Sequence, residues 1–179
     1  MKPLLTLSKG IDWVSTRLGL IANWMVLLAC LVSAGNATLR YAFHVGSTAW
    51  LEIQWYMFGA MVLLGAPYTL LVNEHVRVDL LFSLASPRQR LWIDVFGISF
   101  FLLPICVLLT YFTWPWFVGS WSIGEVSPNA GGLVRWPVKL LLPVGFGWMA
   151  VQGISELIKR VAALRGELDA EFTYEKPLQ

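Results

Sequence analysis

Four apolar runs, each long enough to cross a bilayer, constrain this chain more than any other feature. A hydrocarbon layer about 30 Å thick takes roughly 20 apolar residues in a helix. Runs of that length extend from about Leu18 to Leu39, Trp50 to Val72, Leu91 to Val118 and Val138 to Ile158. Lipid offers a backbone amide no partner, so each run must satisfy its own hydrogen bonds as a helix. The expectation is an all-α membrane protein, a single four-helix domain over residues 1–179. Only 13% of residues are charged, against about a quarter in soluble domains, which points to lipid as part of the solvent. Ten tryptophans suit the headgroup level of a bilayer. A net charge of +2 is too small to imply a nucleic-acid partner.

Residues 1–37 also have the outline of a secretory signal, with a basic segment, an apolar run and small residues at Ser33–Ala37. The run is long for a signal, however, and Asp12 and Trp13 precede it, so an uncleaved first span is expected. Orientation follows from Lys and Arg. With the N-terminus inside, Lys2, Lys9, Arg17, Arg77, Arg88, Arg90, Lys159, Arg160, Arg165 and Lys176 are cytoplasmic, and Arg40, Arg135 and Lys139 lie outside. Ten against three places both termini in the cytoplasm.

Pro67, Pro104 and Pro143 fall within three of the spans and are expected to kink or loosen them. The inner link Asn73–Arg90 is too polar to span and too apolar to float. A short interfacial helix over about 75–86 is expected there, with Arg77 on its apolar arc. Either Arg77 snorkels to lipid phosphates or a carboxylate holds it, with Glu74 and Asp94 as local candidates. The outer loop Gly119–Pro137 is long enough to present a surface, and the tail 166–179 is expected to be mobile.

Catalysis requires convergent polar groups, and the sequence offers none. His44 and His75 fall at opposite faces of the membrane, which excludes a shared haem or metal. Motifs for zinc, phosphate binding or a nucleophile elbow do not occur. No enzyme activity, cofactor or metal site is therefore expected. Cys30 and Cys106 read as buried apolar thiols. Each acid near a span has a structural partner available. Glu52 opens the second span where Arg40 closes the first. Asp94 lies near Arg88 and Arg90 at the positive end of its helix, and Glu156 has Lys159 and Arg160 at i+3 and i+4. Gly145, Gly147 and Gly153, with Gly59, Ala60 and Gly65, allow close helix approach, within the chain or to a partner.

Certain strings resemble a known family. Arg40-Tyr41, Trp50-Leu51-Glu52, Gly65-Ala66 and His75-Val76-Arg77-Val78-Asp79 are similar to the small, DctQ-like membrane subunit of tripartite ATP-independent periplasmic (TRAP) transporters. So are Trp136-Pro137 and Lys139 at the start of the last span, and Gln152-Gly153 and Glu156 near its end. The resemblance covers roughly residues 17–160. One departure is Ile53, where the family often carries a second acid beside Glu52.

The resemblance implies an accessory subunit that packs beside the scaffold of a large membrane transport subunit. That large subunit carries the solute and ion sites, moves as an elevator, and receives an organic acid from a periplasmic substrate-binding protein. Arg40 and Glu52 would tie the first two helices together. Arg77 and Asp79 would anchor the interfacial helix, with phospholipid beside it, and Trp136 and Lys139 would seat the last span. The loop 119–137 would help dock the binding protein. A stand-alone small transporter and a membrane electron-transfer or assembly protein remain open at this level.

Overall fold

Helix begins far upstream of the first apolar run. The computed structural model describes residues 2–74 and 85–167, and its first helix, α1, runs Lys2–Phe43, 42 residues. At 1.5 Å per residue this is about 63 Å, roughly twice a hydrocarbon core. The helix thus starts well upstream of Leu18, where the membrane-crossing run is expected to begin. What extends the helix is a seam rather than apolarity. Ser8, Ser15, Ala22, Ala29 and Asn36, every seventh residue, are buried, with Gly19 between them. A repeat of seven keeps one helix face against its neighbour, and small side chains let the two backbones approach.

The remaining helices are α2 Thr48–Leu71, α3 Pro87–Ser122 and α4 Trp136–Leu164. Three helices, α1, α3 and α4, are both long and apolar enough to cross a membrane. At 24 residues α2 has the length, but Gln54, Tyr56, Pro67 and Tyr68 dilute its apolarity. Among the described residues there is no β-strand.

Local chemistry sets the ends. Asn73, Gly124 and Gly166 adopt φ of 62°, 58° and 73° after α2, α3 and α4. In each case the next amide reaches back five residues, as in Glu74 N–H to the Thr69 carbonyl at 3.1 Å, the Schellman arrangement. Ser86 and Gln89 form a reciprocal capping box ahead of Pro87. Ser86, expected to close the interfacial helix, is thus the cap of α3, and residues 75–84 of that helix lie outside the described residues. So does the expected tail beyond Glu167, whereas Gly166 closes α4.

Pro104 acts differently from a simple kink. A proline clashes with the carbonyl four residues back, here Phe100. Residues Ile98–Leu102 form a π-turn, and the Leu103 amide bonds to the Ile98 carbonyl. The wider turn accommodates the ring inside a continuous helix.

Among the described helices, α4 is central and packs on α1, α2 and α3, while α1 and α2 share a long mutual face. Glycines mark the crossings. A Cβ added at Gly145 would stand 2.7 Å from the Leu63 Cβ of α2, and one at Gly153 would stand 2.6 Å from Leu102 Cδ2 of α3. A Cβ at Gly19 would strike the Tyr68 ring. Gly145 and Gly153 are thus used within the chain.

Candidate functional site: polar clusters at the two ends of the bundle

Charged side chains concentrate at the two ends of the bundle. At the end of the bundle that holds the start of α1, the C-terminal half of α4 presents Trp148, Gln152, Ser155, Glu156, Lys159 and Arg160 to its neighbours. These positions recur every three or four residues and so share one side of the helix. Ser15 of α1 donates to Gln152 Oε1 at 2.6 Å and accepts from Trp148 Nε1 at 3.0 Å. Asp12 Oδ1 accepts from Gln152 Nε2 and from the Ser155 hydroxyl, each at 2.9 Å. Its Oδ2 accepts from Lys159 Nζ at 3.0 Å. The hydroxyls of Ser8 and Ser155 are 2.6 Å apart.

The network continues into α3. Arg160 Nε donates to Asp94 Oδ2 at 2.9 Å, and its Nη1 pairs with Glu156, which also pairs with Lys159. Arg160 is 1% exposed and Glu156 2%. Charges so deeply withdrawn from water hold only when paired and hydrogen-bonded. The cluster therefore clamps the near ends of α1, α3 and α4 together. The expected contacts of Glu156 with Lys159 and Arg160 are present, and Asp94 has gained a partner 66 residues away.

At the far end the residues 123–135 fold into a closed loop. Val126 and Val134 form an antiparallel bridge, and the Arg135 amide bonds to the Glu125 carbonyl at 2.9 Å. The Glu125 carboxylate pairs with Lys139 and lies 3.5 Å from Arg135 Nη1. Lys139 Nζ also stands 4.3 Å from the centroid of the Trp116 ring, within cation–π range. Trp136 packs edge-to-face on Trp121 with centroids 4.4 Å apart. Donation from Lys139 holds the Glu125 carboxyl below its ordinary value.

A depressed pKa means that the unfolded loop binds the proton more readily. The stabilisation by this pair is thus complete above the ordinary value of 4.5 and is lost as pH falls through the lower folded value. Protease cleavage within 123–135 is expected to be constant from neutral pH down to about 5 and to rise below about 4.5. Glu125→Gln reduces that pH response, and an unchanged response in the variant would count against the pairing.

The expected tie between Arg40 and Glu52 is not formed. Arg40 lies 5.3 Å from the ring of its neighbour Tyr41, whereas Glu52 is buried and accepts from the Tyr56 hydroxyl at 3.1 Å. Four intervening turn residues, with His44 at φ 56°, direct the two side chains apart. Cys30 is exposed, contrary to expectation, and Cys106 is buried; both are free thiols. Arg77 and Asp79 lie outside the described residues.

Sequence reasoning missed the α1 half of the near-end clamp and the role of Glu125. The signal for the first was present in the sevenfold spacing of Ser8, Ser15, Ala22, Ala29 and Asn36. Among the described residues no group of three His, Cys, Asp or Glu is arranged to hold a metal ion.

A family model described as the DctQ component of tripartite ATP-independent periplasmic transporters matches residues 29–163. Neither a curated protein nor a solved structure matches the chain. The match covers most of the 179 residues, and the chain belongs to the DctQ component family of TRAP transporters.

Proposed function

We propose that this DctQ-family chain is the accessory small permease subunit of a TRAP-type secondary transporter, packed against the scaffold of the large transport subunit. The observation that carries the reading is the distribution of charge. Arg160, Glu156 and Asp94 stand at one end of the bundle and Glu52, Glu125 and Lys139 at the other. Between them the four helices carry no Asp, Glu, Lys or Arg except Arg17, which lies within two turns of the first end. Ion-coupled movement of a solute requires polar groups near the middle of the membrane, so the solute and ion sites belong to the large subunit.

In this reading all four helices span the bacterial inner membrane, α2 being sheltered by α1 and α4, and both termini are cytoplasmic. Arg77 and Asp79 anchor the inner link beside phospholipid headgroups. Lys139 and Trp136, with the loop they hold, form the periplasmic surface nearest the substrate-binding protein. The solute is an organic acid, the class that TRAP systems take up.

The test is purification of the tagged chain from its native membrane in mild detergent, with mass spectrometry of its companions. A much larger, many-span TRAP component in near-equal amount is expected. Recovery of the chain alone, together with solute uptake by liposomes holding only this chain, would instead establish a stand-alone transporter.

A further inference from the structure

Basic side chains collect on one side of α1 near its start. Lys2, Lys9, Trp13 and Arg17 follow one another at steps of seven, four and four residues, so they share a face, and all four are exposed. The single acid of α1, Asp12, is turned instead to α4, where Gln152, Ser155 and Lys159 hold it. Among the described residues neither Lys9 nor Arg17 pairs with a carboxylate.

The depth of this stretch follows from the near-end clamp. Asp12, Lys159, Arg160 and Asp94 bring the charges of three helices to one level, which marks the edge of the hydrocarbon. Trp13, 61% exposed, stands at that level, in a headgroup layer about 5–8 Å deep on each side, where tryptophan is favoured. Arg17 begins about 7 Å deeper, and Lys9 about 5 Å to the other side. Helical side chains lean toward the helix N-terminus, which at this end is toward the headgroups. The Arg17 guanidinium accordingly lies 5.3 Å from the centroid of the Trp13 ring, one turn nearer the surface, drawn out of the hydrocarbon and held by the indole. Arg40, at the far end of α1, is the only cation there, and the same lean carries its side chain away from the nearer headgroups.

We infer that Lys9, Trp13 and Arg17 form a site for the headgroup of an anionic phospholipid. The guanidinium turns one face toward the indole and offers a two-pronged donor edge to a phosphate. Lys9, two turns up on the same side, adds the positive charge that favours a net negative headgroup over a zwitterionic one. The inference rests on the reading of α1 as a membrane-spanning helix and does not depend on the large component.

Native mass spectrometry of the full chain, released from mild detergent after mixing with equal phosphatidylglycerol and phosphatidylcholine, tests the site. The chain is expected to retain phosphatidylglycerol preferentially. Lys9→Gln and Arg17→Gln are each expected to weaken that retention roughly fivefold and to leave phosphatidylcholine unchanged. Arg40→Gln, a charge change of the same size, should alter neither. Lys9→Arg should keep the preference, and Arg17→Lys should lose part of it, since an ammonium lacks the paired donors. These last two keep the charge, and they decide the matter where a Gln variant does not fold. Equal loss with Arg40→Gln, or no loss when Lys9→Gln and Arg17→Gln are combined, overturns the site and leaves the spanning reading standing. Displacement of the lipid by inorganic phosphate alone would mark a simple anion site and overturns it too. A chain that retains phospholipid of neither kind overturns the site and the spanning reading together.

Discussion

Arg160→Met is expected to destabilise the isolated chain by about 3–5 kcal/mol, the range for breaking a buried ion pair from one side. The variant retains side-chain length and removes the charge. Glu156, 2% exposed, then keeps Lys159 and the Gln152 amide but no partner on Oε2 from Arg160, and Asp94 loses the donor at 2.9 Å. Thermal unfolding in detergent, followed by tryptophan fluorescence, reads the change. Combining Arg160→Met with Glu156→Gln is expected to recover much of the loss, because the stranded carboxylate and not the missing attraction makes the larger contribution. Lys159→Met should cost less, since Lys159 and its partner Asp12 remain about one fifth exposed on their side chains, at 20% and 22%, where water screens the pair. A loss below about 1 kcal/mol for Arg160→Met, typical of a solvent-screened pair, would mean the cluster is not the clamp described.

The second large effect is expected at the crossing of α1 and α2. Gly19→Leu introduces a side chain where even a Cβ collides with the Tyr68 ring. Overpacking at such a contact costs about 1–3 kcal/mol or more, and here two helix backbones must part to admit the group. A disulfide reports the separation directly. The Ala22 Cβ lies 3.4 Å from the position of a Cβ at Gly65, close to the Cβ spacing that disulfides require. In a background of Cys30→Ser and Cys106→Ala, the pair Ala22→Cys and Gly65→Cys is expected to oxidise readily. Adding Gly19→Leu should abolish the cross-link, and adding Tyr68→Ala with it should restore it. Equal oxidation in all three would show that the crossing tolerates the bulk.

What the sequence made legible follows from the length scale of each signal. The apolar runs register over 20 residues, and three of them reappear as helices long and apolar enough to span. Glu156 with its i+3 and i+4 partners was readable because the helix itself sets that geometry. Contacts between distant segments were not. Asp94 has Arg88 and Arg90 close by in sequence, but its carboxylate also accepts from Arg160, 66 residues away, because helix packing brings the two together. Arg40 and Glu52 show the converse, neighbours across a short turn whose backbone directs them apart. The upstream half of α1 escaped notice because its seam is made of Ser8 and Ser15, and a hydropathy argument gives no weight to serine at a packing position.

The π-turn of α3 has one more consequence, which concerns angular phase. Each residue of an α-helix advances about 100° around the axis. Counted as an unbroken α-helix, Asp94 and Thr110 would point about 160° apart, so one of them would face away from α4. Yet Asp94 meets Arg160, and Thr110 stands 3.7 Å from where a Cβ on Gly147 would be, both on the same helix. A π-turn behaves as one residue inserted into the winding, and that residue takes up roughly 100° of the discrepancy. The turn that makes room for Pro104 thus also resets the clock of the helix, so that both halves of α3 keep time with α4.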